Sequence, residues 1–146
     1  MPTFLAVDQS TSATKAMLFD AAAQIGRQVA LPHEQLYPQA GWVEHNADEI
    51  YRNVIETIRQ LLVKTPAAAA DLVCLSLTNQ RETFVIFDAA TGRPLHNAVV
   101  WQCLRGEPVC ARLIAEGHAD RVHQLTGLKI DTYFPASKLR VLLDEQ

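Results

Sequence analysis

Six consecutive polar residues, 78–83, lie between two apolar runs with the composition of strands. The runs, 72–77 and 84–87, are rich in the β-branched and aromatic side chains that suit a buried pleated surface. Burying Arg81 or Glu82 without a partner costs free energy, because a charge in a low-dielectric interior must be paired or neutralised. From a turn or an irregular strand end, both side chains could reach one ligand. A solvated β-turn is the alternative interpretation of the same residues.

A second polar run, residues 8–14, joins two short apolar segments, 4–7 and 15–19. Two strands joined in this way form a hairpin whose tip exposes hydroxyl and backbone N–H groups, which suit phosphate oxygens. Asp8 could hold Mg²⁺, which proteins bind through one or two carboxylates plus phosphate, and Lys15 could add a positive charge. A plain hairpin with a polar loop is the alternative, and neither a P-loop nor a Rossmann glycine motif is present.

Three other side chains attract attention by type. Trp101 follows a short apolar run and could offer a flat wall to the carbon skeleton of a small ligand, or fill the core. Trp42 and His45 precede a helix start, where packing is expected for Trp42 and a surface or capping role for His45, with ligand binding as the alternative.

Composition excludes several classes of protein. The 146 residues have a formal net charge of −3 and are 49% hydrophobic, so no basic excess predicts nucleic-acid binding. There is no apolar run of membrane-spanning length, and Asp8 interrupts the only apolar segment near the N-terminus, so we expect a cytoplasmic protein. The three cysteines lack paired metal or redox spacing, so buried free thiols are expected.

The periodic pattern predicts the elements that position these groups. Strands at 4–7, 15–19 and 27–31 with short turns indicate a mixed sheet that begins as an antiparallel meander. Asn46 with Glu49 predicts a capping box and a helix to about residue 64, which packs an apolar stripe on the sheet. Further helices are expected to start near Pro108 and Pro135. The prediction is one α/β domain body with flanking helices. Because the last helix meets no cap or breaker, we expect a fragment.

Several motifs in their order resemble the FGGY carbohydrate kinase family, and within it the N-terminal part of members that act on glycerol. The motifs are Asp8-Gln9-Ser10-Thr11 with Lys15, Gly41-Trp42-Val43-Glu44-His45, residues 78–83, Trp101-Gln102-Cys103 and Asp131-Thr132-Tyr133-Phe134. The resemblance covers nearly the whole chain. It implies a ribonuclease-H-like, actin- and hexokinase-like α/β fold in which residues 1–146 form the N-terminal part of the first kinase domain, with the second domain absent.

The same resemblance implies ATP-dependent phosphorylation of glycerol to glycerol 3-phosphate, with ATP and Mg²⁺ bound. The implied glycerol pocket is lined by Arg81, Glu82, Trp101 and Tyr133. The implied phosphate contacts are Thr11, Ser12 and Lys15, with Asp8 near the magnesium ion. The catalytic base is expected beyond residue 146, so this chain alone is expected not to turn over. A homo-oligomer is compatible with this interpretation, whereas nucleic acid and membrane partners are not expected.

The hairpin departs from the family pattern at three positions. Ser10 stands where glycine is usual, Ala13 where a hydroxyl residue is usual, and Lys15 where arginine is usual. Lysine lacks the bidentate fork of arginine. Kinases of the same family for another polyol or sugar therefore stay open, as do a nucleotide-driven switch or chaperone of the same superfamily and a non-catalytic binding fragment.

Overall fold

The computed structural model describes residues 1–144, apart from the side chain of Ala67, and its backbone divides into two compact units. The first unit contains Met1–Glu34 and Asn46–Gln80, and the second contains Gln35–His45 and Arg81–Gln146. The assignment of residues 1–146 to the N-terminal part of a first kinase domain stays a prediction.

Eleven elements occur in the described chain. The strands are β1 (Thr3–Gln9), β2 (Ala13–Phe19), β3 (Ile25–Pro32), β4 (Glu44–His45), β5 (Leu72–Thr78) and β6 (Ala98–Val99). The helices are α1 (Ala47–Val63), α2 (Pro66–Ala70), α3 (Glu107–Ala115), α4 (Ala119–Thr126) and α5 (Pro135–Asp144).

The first unit is a four-stranded mixed sheet in the order β3-β2-β1-β5. β2 pairs antiparallel with both β1 and β3, and β5 runs parallel to β1, so the predicted meander is confirmed. Alternate residues of β1 and β2 are buried because side chains on a strand alternate between its two faces. These residues pack with one residue of α1 in a single core: Leu5, Val7, Ala16, Leu18 and Leu61.

Helix α1 begins as predicted at Asn46, whose side-chain Oδ1 accepts the Glu49 N–H at 3.1 Å. The predicted capping box is formed only on this side. The Glu49 carboxylate accepts the backbone N–H of Glu34, at 3.2 Å to Oε2. This bond therefore joins the segment just after β3 to the first turn of α1.

The alanine stretch after Pro66 forms the short helix α2, because proline is tolerated in the first turn of a helix. Two local expectations for this part of the chain were wrong. β5 lies at the sheet edge next to β1, and α1 packs mainly on the other three strands, so the apolar side chains of β5 are exposed: Val73 by 63%, Leu75 by 53% and Leu77 by 58%. Cys74 on the same strand is consequently exposed, whereas the thiols of Cys103 and Cys110 are buried as predicted.

The second unit is built on the two-stranded antiparallel pair of β4 and β6, followed by three helices. Its core contains Val99, Cys103 and Leu142. Pro108 and Pro135 lie in the first turns of α3 and α5, as predicted. The predicted strand at 84–87 is wrong, since only Phe84 and Phe87 form bridges there, to Val99 and Pro94.

Candidate functional site

The turn at Arg81 and Glu82 has an unusual backbone. Glu82 adopts φ +61°, in the left-handed region that costs an L residue about 1–2 kcal/mol. Arg81 is exposed, whereas the Glu82 side chain is half-buried. A fully solvated turn would leave Glu82 exposed, so the structure favours a turn that holds Glu82 in place. Strain of this kind is an observation from which a functional role can be hypothesised.

The segment after this turn is bonded to the segment that carries Trp101. Phe84 and Val99 exchange two backbone hydrogen bonds, of 3.2 and 2.9 Å, in antiparallel pairing. Glu82 lies two residues before Phe84, and Trp101 lies two residues after Val99. The Trp101 N–H donates to Thr83 Oγ1 at 3.1 Å. Trp101 is therefore fixed through its backbone beside the Arg81–Glu82 turn.

Trp101 also meets the aromatic loop before α5. Its ring centroid lies 5.8 Å from that of Tyr133, with the planes at 65°, and Tyr133 lies edge-on to Phe134 at 5.2 Å. These edge-to-face arrangements are the ones that aromatic quadrupoles favour. The Tyr133 N–H donates to Asp131 Oδ1 at 2.8 Å, and Lys129 pairs with the same carboxylate at 2.8 Å to Oδ2. Both partners hold the pKa of Asp131 below its usual value, with Lys129 the larger cause.

Sequence patterns gave no role to Lys138, which the structure places next to this aromatic pair. Its side chain is fully buried, and its Nζ donates to the backbone oxygens of Val100, Trp101 and Tyr133 at 3.4, 3.1 and 3.2 Å. Within the second unit, the structure therefore places Glu82, Trp101 and Tyr133 close together. Lys138 contacts the backbone of Trp101 and Tyr133 from the protein interior.

The first unit contains the polar hairpin between β1 and β2. Asp8 and Lys15 face each other across the antiparallel pair, and Asp8 is in register with Thr78 of β5 on its other side. Cross-strand neighbours of this kind have Cβ atoms about 4.5–5.5 Å apart. Among residues 1–144, neither Asp8 nor Lys15 takes part in an ion pair. The Asp8 carboxylate and the Lys15 ammonium are thus carried on neighbouring positions, and neither is neutralised by an ion pair among residues 1–144.

The tip of the hairpin is a tight turn. Ser10 donates to the Ala13 carbonyl through both its backbone N–H, at 3.0 Å, and its Oγ, at 2.9 Å. Thr11 is half-buried and Ser12 is exposed. The predicted phosphate residues Thr11 and Ser12 are therefore presented at a tip whose shape is fixed by Ser10.

A buried polar group behind the hairpin was not predicted. His33 is 6% exposed, and its Nε2 lies 3.1 Å from Gln9 Nε2 and 3.3 Å from Thr14 Oγ1. Its Nδ1 lies 3.2 Å from Asn53 Nδ2 of α1. Burial lowers the pKa of His33 below its usual 6.5, so the ring is neutral at pH 7. Gln9 and Thr14 occupy inward positions of β1 and β2, where the other inward residues are apolar. These two polar residues were the sequence signal that could have predicted a buried polar group here.

Trp42 packs within the second unit, as predicted, whereas the expected surface or capping role of His45 is wrong because its side chain is buried. The Arg105 guanidinium lies 4.1 Å from the Trp42 ring centroid and pairs with the buried Glu44 carboxylate. Asn97 donates to Glu44 Oε2 at 2.9 Å, and His45 is fully buried. Removing one partner of such a buried ion pair costs about 3–5 kcal/mol, because the other charge is then buried and uncompensated.

Two general features of the described chain bear on its chemistry. Within residues 1–144, no three His, Cys, Asp or Glu side chains are grouped as a protein-only metal site. In the same range, no helix has the length and apolar character needed to cross a membrane.

Comparison with curated proteins identifies close relatives. The chain is 48% identical to glycerol kinase of Delftia acidovorans over 144 residues, which cover 99% of this chain and 29% of that protein. It is 43% identical to glycerol kinase 1 of Thermotoga maritima over 140 residues, or 96% of this chain and 28% of that protein. The chain thus spans less than a third of the length of these relatives.

Comparison with solved structures gives the same picture. The crystal structure of Plasmodium falciparum glycerol kinase with ADP matches with a TM-score of 0.91 and 32% identity, over 100% of this chain and 29% of that one. A ligand-bound xylulose kinase from Lactobacillus acidophilus matches with a TM-score of 0.88 at 20% identity, over 99% and 29%, which shows a shared fold. The predicted actin- and hexokinase-like α/β fold is confirmed.

A family model described as the N-terminal domain of the FGGY family of carbohydrate kinases matches residues 3–146, which is nearly the full chain. The resemblance inferred from the sequence motifs is therefore confirmed. This chain belongs to the FGGY family of carbohydrate kinases.

Proposed function

We propose that this chain provides the polyol-binding and phosphate-binding N-terminal portion of an enzyme that converts glycerol to glycerol 3-phosphate with ATP. The observation that carries the proposal is the Trp101–Tyr133 pair beside the turn of Arg81 and Glu82. The names of the relatives at 43–48% identity support glycerol as the substrate. The ADP named with the P. falciparum enzyme supports ATP as the phosphoryl donor.

The polyol side of the proposal follows from the chemistry of a small triol. Glycerol has three hydroxyl groups and one thin apolar edge, so its site needs polar partners and one flat apolar surface. Glu82 would accept and Arg81 donate hydrogen bonds to hydroxyls, while Trp101 and Tyr133 cover the carbon chain. A site that bonds each hydroxyl rejects analogues lacking one, because a buried polar group is then left unpaired.

The phosphate side of the proposal rests on the hairpin. Lys15 would contribute positive charge, and Thr11 and Ser12 would contribute hydroxyl donors to phosphate oxygens. Mg²⁺ commonly uses only one or two protein carboxylates together with phosphate oxygens, so the single half-buried carboxylate of Asp8 fits it. When bound, the ion neutralises charge on the transferring phosphoryl group.

Other parts of the proposal concern the larger enzyme. A general base must accept the proton of the attacking hydroxyl. With Asp8 assigned to the phosphate side and Glu82 to polyol binding, we place that base outside residues 1–146. A cytoplasmic location and a homo-oligomeric state stay predictions.

A kinase for another polyol or sugar is the second candidate. Ser10, Ala13 and Lys15 differ from the usual family residues, and xylulose kinase shares the fold. ADP release by the full-length enzyme with glycerol, xylulose and other polyols separates the two. ATP turnover that does not depend on any polyol would favour the switch or chaperone interpretation.

Arg81→Ala tests the polyol site. Loss of a hydrogen bond to a charged group, about 1.5–3 kcal/mol, should lower kcat/KM for glycerol by at least about tenfold. Arg93→Ala is the matched control, because Arg93 is likewise exposed in a turn of the second unit. Wild-type glycerol kinetics in Arg81→Ala, or an equal loss in Arg93→Ala, would contradict the assignment.

A further inference from the structure

Lys138 is a buried cation for which the described protein offers no ion pair. It lies in the first turn of α5 and is fully buried. Among residues 1–144, no carboxylate lies within salt-bridge distance of its Nζ. Burial lowers the pKa of this ammonium, and the Glu82 charge opposes that shift only in part. A cation at a helix N-terminus is also disfavoured by the helix dipole.

The contacts of the ammonium show what this burial achieves. Its three donors are directed at three backbone oxygens, those of Val100, Trp101 and Tyr133. Val100 and Trp101 follow β6, whereas Tyr133 precedes α5, so one side chain joins two segments that are distant in sequence. The Trp101 and Tyr133 rings carried by these segments are the edge-to-face pair at 5.8 Å.

A purely structural role accounts poorly for a charge at this position. An apolar side chain of similar length fills such a volume without the desolvation cost, and replacing buried charges in this way is often neutral or stabilising. What an apolar side chain lacks is the ability to bond several carbonyls at once and thereby fix their separation.

We infer that Lys138 is a positioning residue, which sets the spacing of Trp101 and Tyr133 and thereby the width of the polyol site. This inference rests on the proposed function. Lys138 bonds the backbone oxygens of Trp101 and Tyr133, so its effect is expected on the binding of the polyol.

The first test is Lys138→Met in the full-length enzyme. The KM for glycerol should rise about tenfold or more, because small displacements of positioning groups cost up to about a hundredfold. The KM for ATP should change little. Leu142→Ala is the control, since Leu142 lies on the same helix, is 4% exposed and packs against the core. It should lower the melting temperature and leave the KM for glycerol unchanged.

A second variant and a second readout keep the test decisive. Lys138→Gln retains an N–H donor on a shorter stem and should give a KM between those of the wild type and Lys138→Met. A near-ultraviolet circular dichroism band that is lost in Tyr133→Leu should weaken in Lys138→Met but persist in Leu142→Ala. This band needs no substrate, so it reports on positioning even if the wild-type enzyme does not phosphorylate glycerol. A wild-type band and wild-type glycerol KM in either folded Lys138 variant would overturn the inference.

Discussion

Replacing Glu82 by glycine should make the enzyme more stable and less active. Glycine reaches φ +61° without the steric cost that an L side chain meets there. The same change removes the carboxylate that we assign to a polyol hydroxyl. Stability and activity are therefore expected to move in opposite directions, as they do where strain serves a site.

The two magnitudes follow from the local geometry. An L residue in the left-handed region costs about 1–2 kcal/mol, and the extra freedom of glycine in the unfolded chain offsets about 0.5–1 kcal/mol of that gain. The expected net stabilisation is about 0–1.5 kcal/mol. Loss of a hydrogen bond to a charged group, about 1.5–3 kcal/mol, should lower kcat/KM for glycerol by about 10- to 150-fold.

Ala23→Gly is the matched control. Ala23 has φ 60°, is exposed, and lies in the turn between β2 and β3, at the opposite end of β2 from the hairpin tip. It should raise the midpoint of urea unfolding by a similar amount and leave the glycerol kinetics unchanged. A lower urea midpoint for Glu82→Gly than for the wild type would refute the claim that the Glu82 backbone is strained. An unchanged kcat/KM would refute the assignment of the Glu82 carboxylate to the polyol site.

Two further predictions concern the first unit. Asp8→Asn should lower kcat for glycerol phosphorylation by more than about tenfold while calorimetry shows unchanged glycerol binding, because this charge acts on the phosphoryl group; weaker glycerol binding would place Asp8 elsewhere. Burial lowers the pKa of His33 below 6.5, so as pH falls the unfolded chain binds a proton at this residue before the folded chain does. The neutral, buried ring therefore contributes to stability above pH 6.5, and this contribution is lost as pH falls below that value. Urea unfolding across this range should show a shallower pH dependence in His33→Gln than in the wild type, and an identical dependence would rule out His33 as the source.

Features that depend on neighbouring residues could be predicted from the sequence. The alternation of apolar residues gave the hairpin of β1 and β2, and with it the proximity of Asp8 and Lys15. Asn46 marked the start of α1 because a cap acts within one helical turn. The irregular backbone at Arg81 and Glu82 was also expected, because two adjacent charges fit poorly into a regular buried strand.

Features that depend on distant partners could not be predicted. Lys138 lies on a helix whose pattern gives no sign that its ammonium meets oxygens of Val100 and Trp101, 38 and 37 residues earlier. His33 likewise meets Asn53, 20 residues later. A lysine or histidine at such a position has the same local pattern whether it faces solvent or the interior.

The wrong strand prediction for 84–87 and the wrong burial prediction for 72–77 have a related cause. Residues 72–77 and 84–87 have similar compositions, but pairing decides their structure. β5 pairs with β1 over its length, and its apolar face is exposed because α1 packs mainly on β1, β2 and β3. Phe87 instead forms an isolated bridge with Pro94, which has no N–H to continue a ladder.

A crystal structure of the full-length enzyme with glycerol tests the central claim most directly. We expect glycerol hydroxyls within hydrogen-bonding distance of Arg81 and Glu82, and the carbon chain against the Trp101 ring with Tyr133 beside it. Glycerol bound without contact to these four residues would contradict the account.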